Sequence, residues 1–446
     1  MDDLFAARTQ MALSLAFHMV FAAAGIALPV LMLMAEGLWL RTRRPHYRDL
    51  ARKWGKATGL LFAVGAVSGT ALSFELGLLW PHFMQFAGSI IGPAFALEGF
   101  AFFVEAIFLG LYLYGWDRLS PLVHWLTGFP VAVSGLLSGV LVVAVNTWMQ
   151  APVGFELDGN GQLIHIDPLG TFRSPLWIPM AIHSSLSCYI AVGFAVAGVY
   201  ALGTLRGRRD AYHRSALTIA MVLATITALL QPISGDLNGR MSRQYQPIKL
   251  AAMEAHYETQ AAAPLILGGI PDDETGQVRF RIEIPYGLSL LAAHDPHAVI
   301  QGLNDFPRDE RPPVLWVHLG FQIMVACGFI LIALGLWYAW ARWKHGRVES
   351  KWLLAALVCG APLGFIALEA GWFVTELGRQ PWAVYQILRT SASVTPVADV
   401  PSSLLVFSIL YFGLAVAVIL LLLRLGSSYP TAPLPVRAAE EAGDAP

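Results

Sequence analysis

Long apolar runs alternate with short polar and basic segments along nearly the whole chain. A helix that crosses a membrane needs about 20 mostly apolar residues. The pattern predicts nine such helices, over residues 11–40, 55–76, 93–115, 122–149, 176–204, 215–234, 313–341, 352–377 and 402–425. The expected fold class is therefore an all-α integral membrane protein. Several runs are long enough to require tilt or extension past the bilayer.

Composition supports the same class. Of 446 residues, 56% are hydrophobic and 13% are charged, whereas soluble proteins carry about 25% charged residues. A net charge of -1 and the lack of a basic run give no indication of nucleic-acid binding. The first apolar run follows Met-Asp-Asp and is longer than a signal-peptide core, so we expect it to stay in the mature protein.

The three cysteines lie in apolar runs, which gives no sign of a disulfide framework. The sequence also lacks Cys-x-x-Cys-His, the motif of covalent c-type haem attachment.

Lysine and arginine concentrate in the short loops 41–54, 205–214 and 342–351. The opposite short loops, 77–92 and 150–175, contain only Arg173. Basic short loops face the cytoplasm. The expected orientation therefore has the N-terminus outside and the C-terminus in the cytoplasm.

The spans divide the chain into a first set of six helices (1–234), a long extracytoplasmic loop (235–312), a second set of three helices (313–425) and a tail (426–446). Within the loop, residues 249–260 have helical character, residues 271–276 form a turn, and the alternation over 278–285 predicts a short strand. The tail is rich in Pro, Ala and Glu, so we expect it to be disordered.

Polar residues inside the predicted spans are costly, and their default interpretation is functional. They are His18, Glu98, Glu105, Ser138, Asn146, His183, His318, Gln322, Met324, Glu369 and Glu376. Any one of them alone could be a satisfied core group, and a methionine is a common apolar filler. On the orientation above, however, His18, His183, Met324, Glu98 and Glu376 all fall in the outer half of the membrane. A His/Met pair suits a low-spin haem, and a single His or Glu leaves an iron position open.

The segment 371–382 illustrates the two interpretations. Glu376 lies at the end of the predicted eighth span, and we expect Gly378 to end that helix in the left-handed conformation. Glu376 is either an interfacial carboxylate capped by Arg379 or a functional group at membrane depth.

Six motifs, in order along the chain, carry a family resemblance. They are Leu-Glu-Gly-Phe-Ala-Phe-Phe (97–103), Gly-Trp-Asp-Arg-Leu (115–119), Asn-x-Trp-Met-Gln-x-Pro (146–152), Lys-Leu-Ala-Ala-Met-Glu-Ala (249–255), Ile-Met-Val-Ala-Cys-Gly (323–328) and Glu-Ala-Gly-Trp-Phe-Val (369–374) followed by Gly-Arg-Gln-Pro-Trp (378–382). From about residue 4 to 425 the chain resembles subunit I of the cytochrome bd-type quinol oxidases of bacterial cytoplasmic (inner) membranes.

The resemblance implies three haems. His183 and Met324 resemble the axial ligands of a low-spin haem b. His18 and Glu376 resemble the ligands of two high-spin haems, one similar to haem b595 and the other either haem d or a further haem b. Trp372 matches a tryptophan among the haems, and Arg379 is expected beside Glu376.

The resemblance also implies a reaction. Lys249 and Glu254 match residues of the quinol-binding loop, while Glu98, Glu105 and Ser138 match a carboxylate beside the oxygen site and members of its proton route. The implied activity is oxidation of membrane quinol at the outer face and reduction of O2 to water. Protons for water would come from the cytoplasm, so the reaction is electrogenic without pumping. A second membrane subunit is implied, and a small single-helix subunit is compatible.

Some features depart from the common pattern of the family. Gln322 stands where an arginine is frequent, and a neutral side chain beside a haem predicts a lower reduction potential. The short loop after Glu254, the tight spacing of Glu98 and Glu105, and His256 resemble the cyanide-insensitive branch. Two alternatives remain open from the residues: a proton-coupled secondary transporter, and a haem subunit that only passes electrons to another chain.

Overall fold

The computed structural model describes residues 3–346, 348, 350–395 and 400–427. Its helices are α1 (Asp3–Thr42), α2 (Pro45–Leu79), α3 (Pro81–Tyr114), α4 (Pro121–Gln150), α5 (Trp177–Leu205), α6 (Ala211–Tyr245), α7 (Pro247–Met253), α8 (Gly287–Ala293), α9 (Val314–His345), α10 (Lys351–Gly360), α11 (Leu363–Leu377) and α12 (Val400–Ser427). Within these ranges nine stretches are long and apolar enough to cross a membrane, with α10 and α11 counted together. The predicted all-α membrane fold is confirmed. The tail predicted over 426–446 lies outside the described residues from position 428 onward.

The predicted loop 77–92 is helical except for Trp80, which joins α2 directly to α3. Pro81 occupies the first helical position of α3, where its missing N–H removes no helical hydrogen bond. The sequence misplaced this boundary because a hydropathy window registers apolar content, whereas a helix continues through residues of either kind.

The eighth span is two helices rather than one, because α10 ends before Pro362 and α11 begins after it. Proline lacks the N–H of the helical ladder and its ring collides with the preceding turn. Beyond the break, Gly364 brings α11 very close to α5, since a Cβ there would lie 2.5 Å from Cα of Ala191. The break therefore sets the direction of the helix that carries Glu376.

Small side chains build the centre of the bundle. Buried alanines of α1, such as Ala23, Ala27 and Ala35, belong to a core shared with α5, α6, α9 and α10. A Cβ at Gly193 would lie 2.8 Å from that of Ala224, so α5 and α6 also pack closely. Small residues let membrane helices approach in this way. On α3, by contrast, Phe100 and Phe103 are 71% and 66% exposed.

The segment between the sixth and seventh spans begins later than predicted, and its first helix is shorter than predicted. α6 continues to Tyr245, past the expected end at residue 234, because the polar residues there lower hydropathy without breaking the helix. The helical character predicted over 249–260 is realised only in α7, and Ala255 then adopts a positive φ of 48°.

Short antiparallel strand pairs complete the described loops. They are β1 (Glu156–Leu157) with β2 (Leu163–Ile164), β3 (Gln260–Ala261) with β8 (Val299–Ile300), β4 (Leu265–Leu267) with β7 (Ile282–Ile284), β5 (Ile270–Asp272) with β6 (Gln277–Arg279), and β9 (Trp382–Val384) with β10 (Leu388–Arg389). The single strand predicted over 278–285 is divided between β6 and β7 by Phe280, whose φ is 58°.

Candidate functional site

His18 of α1 lies against α2. Its Nδ1 is 2.9 Å from the hydroxyl of Ser68. The next residue, Gly69, leaves room for the ring, because a Cβ there would lie 3.0 Å from Cε1 of His18. A serine therefore holds the imidazole, and a glycine makes space beside it.

His183 of α5 repeats this arrangement against α6. Its Nδ1 is 2.9 Å from the hydroxyl of Ser234, and a Cβ on the following Gly235 would lie 3.6 Å from Cε1 of the ring. The side-chain amide of Gln231 approaches Nε2 of His183 at 3.2 Å. The two candidate ligands thus share a Ser-Gly partner on the neighbouring helix.

The serine contacts fit the tautomer of both rings that carries the proton on Nδ1. The Ser68 hydroxyl donates to the carbonyl oxygen of Val64, and the Ser234 hydroxyl donates to that of Gln231. With its proton used in this way, each serine oxygen accepts from Nδ1–H of the histidine. Nε2 of His18 then keeps its lone pair, the form of neutral imidazole that binds a metal, whereas the lone pair of Nε2 of His183 accepts from the Gln231 amide.

Met324 of α9 meets α11 at Gly371. A Cβ at Gly371 would lie 2.9 Å from the methionine Sδ, so only glycine fits beside the thioether without a shift. α11 also packs on α5, the helix of His183, as the approach of Gly364 to Ala191 shows. Trp372, the next residue on α11, is half-buried.

Glu376 lies near the end of α11 in a polar cluster. Arg379 donates to its Oε2 at 2.6 Å, and Asn146 of α4 donates to its Oε1 at 2.5 Å. Gln150, one turn further along α4, donates to the Asn146 side chain at 2.5 Å. The carboxylate is therefore held by two helices and by a cation.

The predicted left-handed conformation of Gly378 is wrong, because its φ is -67° and its ψ is -11°. Glycine is required there for space instead. A Cβ would lie 2.6 Å from the Val374 carbonyl oxygen and 2.9 Å from Cγ of Lys249.

Lys249 of α7 is buried, and its ammonium donates to Oε1 of Gln150. A hydrogen-bonded chain thus runs from Lys249 through Gln150 and Asn146 to Glu376. Burial, reinforced by the charge of Arg379, lowers the pKa of Lys249 to about 7. Burial likewise raises the pKa of Glu254 to about 8, and one of its carboxyl oxygens is unpartnered among the described residues.

The two carboxylates of α3 face α4. The Ser138 hydroxyl donates to Glu98 at 2.8 Å. Glu105 is 4% exposed, and its Oε1 is unpartnered within the described chain. A Cβ at Gly135 would lie 3.3 Å from both of its carboxylate oxygens, and one at Gly25 would lie 3.6 Å from Oε1. Glycines of α1 and α4 thus make room for this buried carboxyl group.

Sequence reasoning missed several residues of these sites. Ser68 and Ser234 were overlooked because serine is common in membrane helices, although each begins a Ser-Gly pair. Glu75 was also missed because it falls at the edge of a predicted span. It is 2% exposed and accepts hydrogen bonds from Ser14 at 2.7 Å and Gln10 at 3.2 Å.

Within the described ranges, no group of three or more His, Cys, Asp or Glu side chains is arranged to hold a metal ion. The separate imidazoles and the thioether suit axial coordination of a porphyrin iron, which needs one or two protein ligands. A haem fits the unprotonated Nε2 atoms and the space that Gly69, Gly235 and Gly371 leave beside His18, His183 and Met324. Fold and site together define a multi-pass membrane protein that carries histidine, methionine and carboxylate side chains within its spans.

The comparisons specify the family. The profile of cytochrome bd terminal oxidase subunit I matches residues 6–430. The chain is 37% identical to a putative cytochrome bd menaquinol oxidase subunit I of Bacillus subtilis (strain 168) over 96% of this chain and 98% of that protein. It is 31% identical to cytochrome bd ubiquinol oxidase subunit 1 of the same organism, over 93% and 90%. The bd oxidase structure from Geobacillus thermodenitrificans superposes with a TM-score of 0.90 at 39% identity, covering 96% of this chain and 99% of that one. The chain therefore belongs to the cytochrome bd terminal oxidase subunit I family and is a multi-pass protein of a bacterial membrane.

Proposed function

We propose that this chain is the quinol-oxidising, oxygen-reducing subunit of a terminal oxidase. Quinol is oxidised at the outer face, and protons for water are taken from the cytoplasm. Charge then crosses the membrane through these two half-reactions without a pump. Family membership supports the oxidase class, and the basic loops 41–54 and 205–214 support the orientation.

The observation that carries the haem part of this proposal is the pair of serine-held histidines. With each Ser accepting from Nδ1–H, Nε2 is unprotonated and could bind iron, and at His183 the iron would replace the Gln231 amide at Nε2. His183 and Met324 would be the axial ligands of the low-spin haem b, and His18 and Glu376 would each ligate a high-spin haem. Bound haem would supply electron transfer and, at an open position, oxygen reduction.

The quinol site is assigned to the segment from Lys249 to Glu254. Oxidation of a quinol releases two protons, so a base is needed at the hydroxyl groups. Glu254 is buried and able to accept one of them in its ionised form. The buried Lys249 is suited to donate a hydrogen bond to a quinone oxygen.

Proton delivery to the oxygen site is assigned to α3 and α4. Glu105 is enclosed by α1, α3 and α4, and Glu98 lies about two turns away on the same helix, hydrogen-bonded to Ser138. A buried carboxyl group can accept a proton from the cytoplasmic side and release it toward the oxygen site. Glu98, held by Ser138, would be the later member of the route.

Cofactors and partners complete the proposal. We assign a low-spin haem b, a high-spin haem similar to b595, and a third haem that is d or b, with the short loop favouring the cyanide-insensitive branch. Pyridine haemochrome analysis separates haem b from haem d. The Bacillus subtilis relatives are named a menaquinol and a ubiquinol oxidase subunit, so the substrate is assigned only as a membrane quinol. A second membrane subunit is the assigned partner.

The test is quinol-dependent oxygen consumption by the purified complex. We expect oxygen uptake that requires quinol, together with CO binding to the reduced protein. Reduced protein with haem bands but no CO binding would instead identify a subunit that only passes electrons. A dithionite-reduced spectrum without haem bands would contradict the whole proposal.

A further inference from the structure

His318 of α9 contacts two separate parts of the loop between α6 and α9. Its Nδ1 lies 2.8 Å from the carbonyl oxygen of Met253, at the end of α7. Its Nε2 lies 3.0 Å from the carbonyl oxygen of Gly268, in the turn between β4 and β5. The side chain is fully buried.

Both partners of this ring are carbonyl oxygens, which can only accept hydrogen bonds. A neutral imidazole carries one N–H and could make only one of the two contacts as a donor. One ring nitrogen therefore donates to its carbonyl oxygen, and the other lies at hydrogen-bond distance from the second carbonyl, so the ring bridges both parts of the loop.

Gln322 lies one helical turn further along α9 and binds the same turn of the loop. Its Oε1 accepts from the backbone N–H of Gly268 at 3.0 Å, and its Nε2 donates to the carbonyl oxygen of Ile266 at 3.1 Å. Gly268, with a φ of 64°, is thus held through its N–H by Gln322 and through its carbonyl by His318.

These contacts connect the proposed quinol site to the proposed electron acceptor. Met253 directly precedes Glu254, the proposed base of the quinol site. Met324, the proposed ligand of the haem that first accepts electrons, is on the same helix as His318 and Gln322. One rigid helix therefore bears both the contacts to the loop and the acceptor's ligand.

We propose that His318 and Gln322 are positioning residues for quinol oxidation. They fasten the loop segment carrying Glu254 to the helix carrying Met324, and so hold quinol at a constant distance from its electron acceptor. The quinol part rests on the proposed function. The attachment of the loop to α9 does not depend on the proposed function.

The experiment compares the wild-type complex with His318→Gln and Gln322→Leu. Gln162→Leu, an exposed glutamine of the β1–β2 hairpin, is the matched control. Hydrogen–deuterium exchange is followed in peptides covering residues 249–272, and KM and kcat are measured with quinol. A spectrum of the reduced complex checks haem content. Gln322→Leu removes two contacts without touching the buried ring, so it remains informative if His318→Gln does not fold.

We expect exchange over residues 253–268 to rise between about threefold and about thirtyfold in either variant, as expected when one or two hydrogen bonds are lost. The KM for quinol should rise by a similar factor, kcat should change less, and the low-spin haem band should remain. The control should match wild type in every readout.

Unchanged hydrogen–deuterium exchange in both variants would mean that the two residues do not attach the loop to α9. Raised hydrogen–deuterium exchange with an unchanged KM would mean that this attachment plays no part in quinol binding. Loss of the low-spin band would mean that the two residues support the haem and not the loop. If the wild-type complex oxidises no quinol, the proposed function fails by itself, a result visible before any variant is compared.

Discussion

The hydroxyls of Ser68 and Ser234 each lie 2.9 Å from Nδ1 of a histidine on the neighbouring helix, where they can accept from Nδ1–H. Such a bond makes the imidazole a stronger electron donor to a metal on its other nitrogen. A stronger donor favours oxidised iron over reduced iron. If these histidines bind haem, the serines would tune its potential as well as orient its ligands.

Loss of the Ser234 contact in Ser234→Ala should alter the haem. The midpoint potential of the low-spin haem should rise, on the order of tens of millivolts, because the change corresponds to a fraction of one hydrogen bond. Redox titration of the purified complex measures it. Ser408→Ala is the control, since Ser408 also donates to a backbone carbonyl in its helix. A potential that stayed at the wild-type value would mean that Ser234 does not tune His183.

Glu254 predicts a pH dependence of quinol oxidation. Burial raises its pKa to about 8, so the carboxyl group is neutral below that pH and ionised above it. Only the ionised form accepts a proton, so kcat/KM for quinol should rise as pH increases through about 8. Glu254→Gln should lower kcat/KM by about a hundredfold or more and remove the rise. The exposed neighbour Glu258 supplies the control Glu258→Gln, and an unaltered profile in Glu254→Gln would exclude this base.

Residue types of the site could be predicted from sequence more readily than their contacts. His18, His183 and Glu376 stand out because ionisable groups are rare in apolar helices. Their partners do not, because they depend on which helices pack together. Asn146 and Glu376 are separated by 230 positions, and only the approach of α4 to the end of α11 joins them.

Several candidate groups meet at α11. Gly371 faces Met324, Trp372 follows it, and Glu376 closes the helix at Arg379. The direction of this helix depends on the break at Pro362. Its function therefore depends on its position between α5 and α9 as well as on its own residues.

Gly371→Ala tests whether Met324 is bound to iron. The new Cβ would lie 2.9 Å from Sδ, which a free methionine side chain could avoid by rotating. A methionine bound to iron could not, so we expect weakening or loss of the low-spin band. Gly413→Ala on α12 is the control, since a Cβ there meets no atom within 4 Å. A normal spectrum in Gly371→Ala would indicate that Met324 is ordinary packing.

Hydropathy was sufficient to predict the spans and insufficient to predict their ends. Nine spans followed from apolar runs. The turn at Trp80 and the extension of α6 to Tyr245 did not, because helices continue through polar residues when backbone hydrogen bonds are satisfied. The strands of the loop were also divided by local backbone reversals such as that at Phe280.

The assembled oxidase should move charge across the membrane. If quinol protons leave outside and water protons enter from the cytoplasm, proteoliposomes should develop a membrane potential with one proton released per electron. Glu105→Gln should stop oxygen reduction while quinol still reduces the haems. Glu156→Gln, on an exposed strand, should behave as wild type. More than one proton per electron would reveal a pump, and full activity in Glu105→Gln would remove it from the route.

The absorption spectrum of the purified complex, reduced by quinol and then exposed to CO, is the decisive measurement of haem ligation and oxygen binding. We predict haem bands on reduction, a CO-induced change in the high-spin bands, and selective loss of the low-spin band in Met324→Leu. Absence of haem bands, absence of a CO-induced change, or an unaltered low-spin band in Met324→Leu would contradict the account.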